Sequence, residues 1–127
     1  MSALVVDTSV WVEFLRGKPL PDLELALREG LVLLAPIVAA ELLSAPLSQK
    51  RRDDLESLLG DLPLHPTPLG HWARVGALRA RLARRGLTVP TPDAHVAQCA
   101  LDVDGRLWSR DRVFAGIAAV TPLRLVA

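Results

Sequence analysis

The stretch Ala3–Gly17, ALVVDTSVWVEFLRG, opens with four apolar residues that stop abruptly at Asp7. A short apolar run ending at a polar cluster reads as a buried strand, here Ala3 to Val6. The period then changes. Val10, Trp11, Phe14 and Leu15 recur at i, i+1, i+4 and i+5, which predicts a helix from about Ser9 to Arg16, closed by Gly17. Asp7 therefore stands where a strand ends and a helix begins.

The same alternation continues along the chain. Pro21 to Glu29 reads as a helix stopped by Gly30, and Leu31 to Ala35 as an apolar strand leading through Pro36 into a helix that carries Glu41. Ser48 to Leu59 is a charged amphipathic helix, and Leu64 to Thr67, between Pro63 and Pro68, a weak strand. Gly70 to Arg85 is a long Arg-rich helix ending at Gly86. Thr91 reads as an N-cap, with Pro92 at the first helical position. Arg106 to Ser109 is a strand, Val113 to Val120 a helix and Leu123 to Val126 a last strand. Five short strands alternating with helices predict an α/β fold of three layers, a five-stranded parallel sheet flanked by helices. Functional groups of such sheets lie beyond the carboxyl ends of the strands.

With 127 residues, the chain is expected to form a single domain over 1–127 with its own core. Half of it is apolar but only 4% is aromatic, so that core must be aliphatic. A net charge of +1 with this apolar content excludes a disordered chain, and it does not announce a nucleic-acid binder either. Lys18 and Lys50 are the only lysines; the remaining basic residues are Arg, which coding bias explains as well as phosphate binding does. The lone Cys99 permits no intrachain disulfide and reads as a small buried thiol, in keeping with a reducing compartment. The start, MSALVVDTS, lacks the features of a signal peptide, and no apolar run approaches the ~18 residues of a membrane span. A cytoplasmic protein is expected. His65, His71 and His95 are scattered and read as structural or surface residues, and no Cys/His cluster has zinc spacing.

Four acids stand out by position. Asp7 follows the first strand and Asp111 follows the RLWS strand, so both belong at the carboxyl edge of the sheet. Glu41 is the only charge between Leu31 and Ala45, where burial would be costly unless the carboxylate were paired or metal-bound. Asp93 lies in a first helical turn, where the helix dipole favours the ionised form. Each has an ordinary explanation alone: Asp7 and Asp111 as turn or capping residues, Asp93 as a helix-start acid, Glu41 on a half-exposed face. Together at one edge, four like charges would raise one another's pKa values unless a cation neutralised them. All-carboxylate ligation selects Mg²⁺ or Mn²⁺ over Zn²⁺.

The segments VVDTSVWVEFLRG, VAAELL, TPDAHVAQCA and LWSRDRVF, in this order and spacing, resemble the PIN-domain family, in particular the VapC-type toxins of toxin–antitoxin pairs. The resemblance runs through nearly the whole chain. It implies a metal-dependent endoribonuclease, with Asp7, Glu41, Asp93 and Asp111 as the catalytic, Mg²⁺- or Mn²⁺-binding acids. Ser109 falls where the family often has a supporting Thr or Ser. Many members carry a further Asp where this chain has Val113, a departure that removes a supporting ligand or widens a second metal site. The implied reaction is phosphodiester hydrolysis by a metal-activated water, with Glu41 ligating directly or orienting that water. An RNA substrate, a cognate antitoxin and a homodimer are implied as well.

For RNA contact, Arg74, Arg81 and Arg85 fall within a ~40° stripe of the Gly70–Arg85 helix. Arg16 is a second candidate, and Arg110 and Arg112 flank Asp111, near enough to approach a phosphate or to offset the acids. Trp11, Phe14 and the apolar face of Ser48–Leu59 belong to the core or to a partner interface. Two other readings fit the same pattern: a non-catalytic RNA- or protein-binding homologue, and a solitary RNA-processing nuclease. A phosphoacceptor domain would need an acidic pair after the first strand and a Lys after the last. A haloacid-dehalogenase-like phosphatase would need Asp where Ser9 stands.

Overall fold

The computed structural model describes residues 2–127. Four parallel strands, β1 (Leu4–Val6), β2 (Val32–Leu33), β3 (Arg106–Trp108) and β4 (Arg124–Leu125), form a sheet in the order β2-β1-β3-β4. Seven helices flank it: α1 (Thr8–Leu15), α2 (Pro21–Arg28), α3 (Pro36–Leu43), α4 (Gln49–Gly60), α5 (Leu69–Arg84), α6 (Thr91–Asp102) and α7 (Val113–Val120).

The predicted fifth strand contributes only one parallel bridge, Leu34 to Leu64. Leu34 N–H donates to the Pro63 carbonyl at 2.8 Å and His65 N–H to the Leu34 carbonyl at 2.9 Å. Pro63, Pro66 and Pro68 have no N–H to extend the ladder, so pairing stops there. Thr91 is also not a cap. It is the first residue of α6, Pro90 holds the N-cap position, and no side chain caps this helix. Ser48, by contrast, caps α4 by accepting a hydrogen bond from the Arg51 N–H.

The core is aliphatic as the composition requires, with Val5, Val10, Leu23, Val38, Leu78, Leu82 and Leu107 fully shielded. Trp11 and Phe114 are its large aromatic members. Trp11 meets Phe14 edge-on at 5.9 Å. Leu15, expected on the same buried face, is 44% exposed, because α1 ends there and turns away through Gly17 at φ +89°. On α4, Leu55 and Leu59 are the buried residues. Helix α6 is buried along its whole middle, from Ala94 to Ala100. A short turn with Asp104 at φ +50° carries it into β3.

In that turn Gly105 donates to the Ala100 carbonyl, and Arg106 N–H bonds the Ala3 carbonyl at 3.0 Å. A Cβ at position 105 would lie 2.6 Å from that same Ala3 oxygen. Gly105→Ala must therefore push β1 and β3 apart at their start, costing about 1–3 kcal/mol in urea unfolding, whereas Gly60→Ala, with open space around it, should cost far less.

Candidate active site

Parallel pairing of β1 with β3 puts Val6 opposite Trp108, and Asp7 N–H donates to the Trp108 carbonyl at 2.9 Å. The residues following both strands thus emerge side by side. Asp7 occupies the N-cap position of α1, yet its side chain makes no capping bond. Its carboxylate turns instead toward β3: Oδ2 accepts from the Ser109 hydroxyl at 2.7 Å and from the Ser9 hydroxyl at 3.3 Å. Among the described residues Oδ1 accepts no hydrogen bond. Asp7 is only 8% exposed, and Oδ1 is the oxygen that still reaches solvent.

Ser109 joins two of the acids. While donating to Asp7, it accepts the Asp111 N–H at 3.0 Å, which fixes the loop carrying Asp111. Asp111 is exposed, and its Oδ1 accepts the Val113 N–H at 3.0 Å, so its helix-start role is real alongside any other. Glu41 departs from the expectation of an apolar burial. It lies on the exposed face of α3 and accepts the Thr8 hydroxyl at 2.9 Å. The apolar run around it packs inward through Val38 and Leu42 and leaves the carboxylate in water.

Asp93 shows that these groups share one field. Burial raises its pKa, and the charges of Asp111, Asp7 and Glu41 raise it further. The helix dipole, expected to favour the ionised form, is outweighed. The other three acids stand near enough to act on Asp93 without converging on one point. Among the described residues, the set of three metal-binding side chains with ligand atoms within 4.8 Å of one another lies elsewhere. Like charges hold apart, and Mg²⁺ typically takes one or two carboxylates and keeps several waters, so the donor set fits a hard divalent ion.

The basic candidates divide. Arg74 reaches Asp102 through two hydrogen bonds of 2.8 and 3.1 Å, which takes it out of the predicted stripe. Arg110 binds Glu13 through Nε at 2.8 Å and a second bond of 3.2 Å, and its guanidinium lies 5.9 Å from the Trp108 ring centre. Hydrogen bonds from Arg110 and then Lys18 lower the Glu13 pKa to about 2. Arg110 is thus spoken for, and its N–H also binds Ser9. Arg16, Arg81, Arg85 and Arg112 are exposed and, among the described residues, form no ion pair.

A second polar cluster escaped the sequence. His65, His71 and His95 are all buried, gathered around Asp102 between α5 and α6. Asp102 Oδ2 bonds His71 Nδ1 at 2.7 Å and His65 Nε2 at 3.0 Å, and Oδ1 accepts from Gln98 and Arg74 at 2.8 Å each. His71 Nε2 meets His95 Nδ1 at 2.8 Å, and Trp72 stacks on His95. Only their spacing on two helix faces, 71 and 74 against 95, 98 and 102, could have suggested it.

Residues 4–120 match the PIN domain family. The chain belongs to that family. A comparison with curated proteins finds no match. Among solved structures, VapBC2 from Rickettsia felis superposes with a TM-score of 0.76 at 21% identity, covering 98% of this chain and 97% of that one. VapBC-1 from Haemophilus influenzae gives 0.75 at 16%, covering 98% and 96%. VapBC-5 from Mycobacterium tuberculosis gives 0.69 at 23%, covering 99% and 98%. This PIN domain shares their fold, with four paired strands where five were expected. None of its helices is long and apolar enough to cross a membrane, among the described residues.

The Asp102 cluster gives a pH prediction. Burial alone would raise the Asp102 pKa, but hydrogen bonds from Arg74, Gln98, His71 and His65 hold it well below the ordinary 3.8. A depressed carboxyl stabilises the fold above its unfolded pKa and loses that contribution as pH falls below it. Asp102→Asn is therefore expected to cost about 3 kcal/mol at neutral pH. The gap between variant and parent should narrow only below pH 3.8, read from denaturant unfolding across a pH series.

Proposed function

We propose that this PIN domain is an Mg²⁺- or Mn²⁺-dependent endoribonuclease, the VapC-type toxin of a toxin–antitoxin pair. The observation that carries the reading is the match of residues 4–120 to the PIN domain family, and the charges of Asp111, Asp7 and Glu41, which act on Asp93 from separate parts of the chain, support it. A fold that keeps such repulsion at a strand-end edge does so for a cation, since structural carboxylates are ordinarily paired.

Asp7 and Asp93 would hold the ion, with Asp111 and Glu41 completing its surroundings. When bound, the ion acidifies a water and offsets negative charge developing on the phosphate oxygens. The chain's residues do the positioning. Ser109 and Ser9 fix Oδ2 of Asp7 and so aim Oδ1, while Thr8 steadies Glu41 as ligand or as acceptor of the water's proton. Val113 supplies no carboxylate, so Asp111 acts without the acidic neighbour common in the family. Of the six arginines expected to contact RNA, Arg16, Arg81, Arg85 and Arg112 are exposed without an ion pair among the described residues and would meet RNA phosphates. The VapBC structural likeness supports an antitoxin partner; we further propose a homodimer and a cytoplasmic setting.

Purified protein on structured RNA with Mn²⁺ should cleave, and EDTA should abolish cleavage. Asp7→Asn is expected to lower the rate at least about 100-fold, the loss of a direct charge contact to the ion. Ser109→Ala should cost about tenfold, because it only orients Asp7. Arg81→Ala should weaken RNA binding and reduce its salt slope by about one, whereas Arg110→Ala should not. Cleavage that survives chelation or Asp7→Asn would overturn the metal reading, and RNA binding without cleavage would make the protein a binding homologue.

A further inference from the structure

The His65–His71–Cys99 cluster lies outside the carboxylate site and serves no step of the proposed reaction. One ring nitrogen from each histidine and the Cys99 sulfur lie within 4.8 Å of one another, and all three residues are buried. The three come from different elements: the bridge after Leu64, helix α5 and helix α6. No sequence spacing announces them, which is why the chain reads as lacking a zinc motif.

The hydrogen bonds resolve which nitrogens are available. A carboxylate only accepts, so His65 donates to Asp102 through Nε2 and His71 through Nδ1. His65 Nδ1 is then a bare acceptor, and it is the buried side-chain atom without a hydrogen-bond partner among the described residues. His71 Nε2 is likewise an acceptor, now taking the proton of His95 Nδ1. One carboxylate thus orients two imidazoles and leaves the opposite nitrogen of each with a lone pair. Metal-binding histidines are usually held in this way, with the far ring N–H donated to a carboxylate.

We propose that His65 Nδ1, His71 Nε2 and Cys99 Sγ form a buried site for a borderline-soft divalent ion, of which Zn²⁺ is the representative. Tetrahedral zinc spaces such ligands about 3.3–3.6 Å apart, so ligand atoms that lie within 4.8 Å, one nitrogen from each ring, would draw together by up to about 1.5 Å. Binding forms a sulfur–metal bond and releases the thiol proton to solvent. The ion replaces the His95 proton on His71 Nε2, and His95, with Nε2 at 3.7 Å from the sulfur, stands beside the fourth position. The thiolate offsets one of the ion's two charges, and the Asp102 carboxylate, shared with Arg74, offsets part of the other. This donor set of nitrogen and sulfur separates the site chemically from the all-oxygen site of Asp7, Glu41, Asp93 and Asp111. Its effect is mechanical: it would tie the His65 segment, joined to the sheet by one bridge, to α5 and α6.

Co²⁺ is the probe, because a thiolate ligand gives it a charge-transfer band and tetrahedral geometry gives it intense visible absorption. The full chain, reduced, is loaded both by incubation and by refolding with Co²⁺, so that slow entry to a buried site is not mistaken for its absence. The expected result is one tetrahedral, thiolate-bound ion per chain, with Zn²⁺ displacing it and raising Tm by several degrees. Cys99→Ser removes the charge-transfer band and His65→Gln abolishes or strongly weakens binding, while Asp7→Asn leaves both signals intact. Circular dichroism of each variant checks folding, and His65→Gln carries the test should Cys99→Ser not fold. Absence of the band after both loading routes, or its survival in Cys99→Ser, overturns the proposal. Neither outcome bears on the nuclease reading, which the RNA assay with Asp7→Asn decides.

Discussion

Parallel pairing of β1 with β3 is the constraint from which the remainder follows. The register that sets Val6 against Trp108 obliges Asp7 and Ser109 to emerge as neighbours, 102 residues apart in sequence but 2.7 Å apart in space. With a one-residue slip, the hydroxyl would face away from the carboxylate, because alternate residues of a strand point to opposite faces. The register is held by burial: all three residues of β1 and both Leu107 and Trp108 of β3 are shielded, so no shift keeps the apolar residues inside. Gly105 tightens the same pairing from the other end, where only a hydrogen fits against the Ala3 carbonyl. The precision of the edge is therefore set by strands of three residues each.

That edge is electrostatically expensive. Asp7 has the position of a helix cap and forgoes the capping bond, and Asp93 is destabilised by burial and by three like charges. Neither arrangement serves stability. Local rules broken together at one place mark a site selected for something other than folding. The surrounding charges are handled differently: Glu13 is paired twice, with Arg110 and Lys18, and Asp102 is paired with Arg74 and hydrogen-bonded by Gln98, His71 and His65. The contrast lies within one molecule and uses the same residue types. Paired acids are structural here; the group around Asp93 is left unpaired among its own kind.

Much of this was legible in the sequence, because strand-end acids announce themselves by position. Asp7 after ALVV and Asp111 after RLWS needed only the rule that parallel strands share a carboxyl edge. What failed were inferences that depended on orientation. Glu41 sits in the most apolar run of the chain and is exposed all the same, since a short helix buries one side and leaves the other in water. The Arg stripe on α5 was sound as geometry, but Arg74 is captured by Asp102, a partner on another helix. The Leu64 strand was lost to its prolines, which the sequence displayed and whose missing N–H groups limit it to a single bridge.

The histidines show the deeper limit. Between Ala94 and Ala100 helix α6 is buried all round, so His95 and Gln98 cannot reach water whatever their periodicity. His95 is satisfied from α5 by His71 and Gln98 by Asp102 of its own helix, and on Asp102 the bonds of His71 and His65 converge as well. Burial pushes the His95 pKa down to about 4, helped by His71 and His65. Burial, with the Asp102 charge, pushes the Cys99 thiol up to about 12. His95 is thus held as neutral imidazole and Cys99 as the thiol, beside a carboxylate that orients the His65 and His71 rings. The helix that presents Asp93 at its first turn is anchored along its length by these side chains. The oxygen edge and the nitrogen–sulfur interior thus share one element: Asp93 lies in the first turn of α6, and His95, Cys99 and Asp102 follow along the same helix.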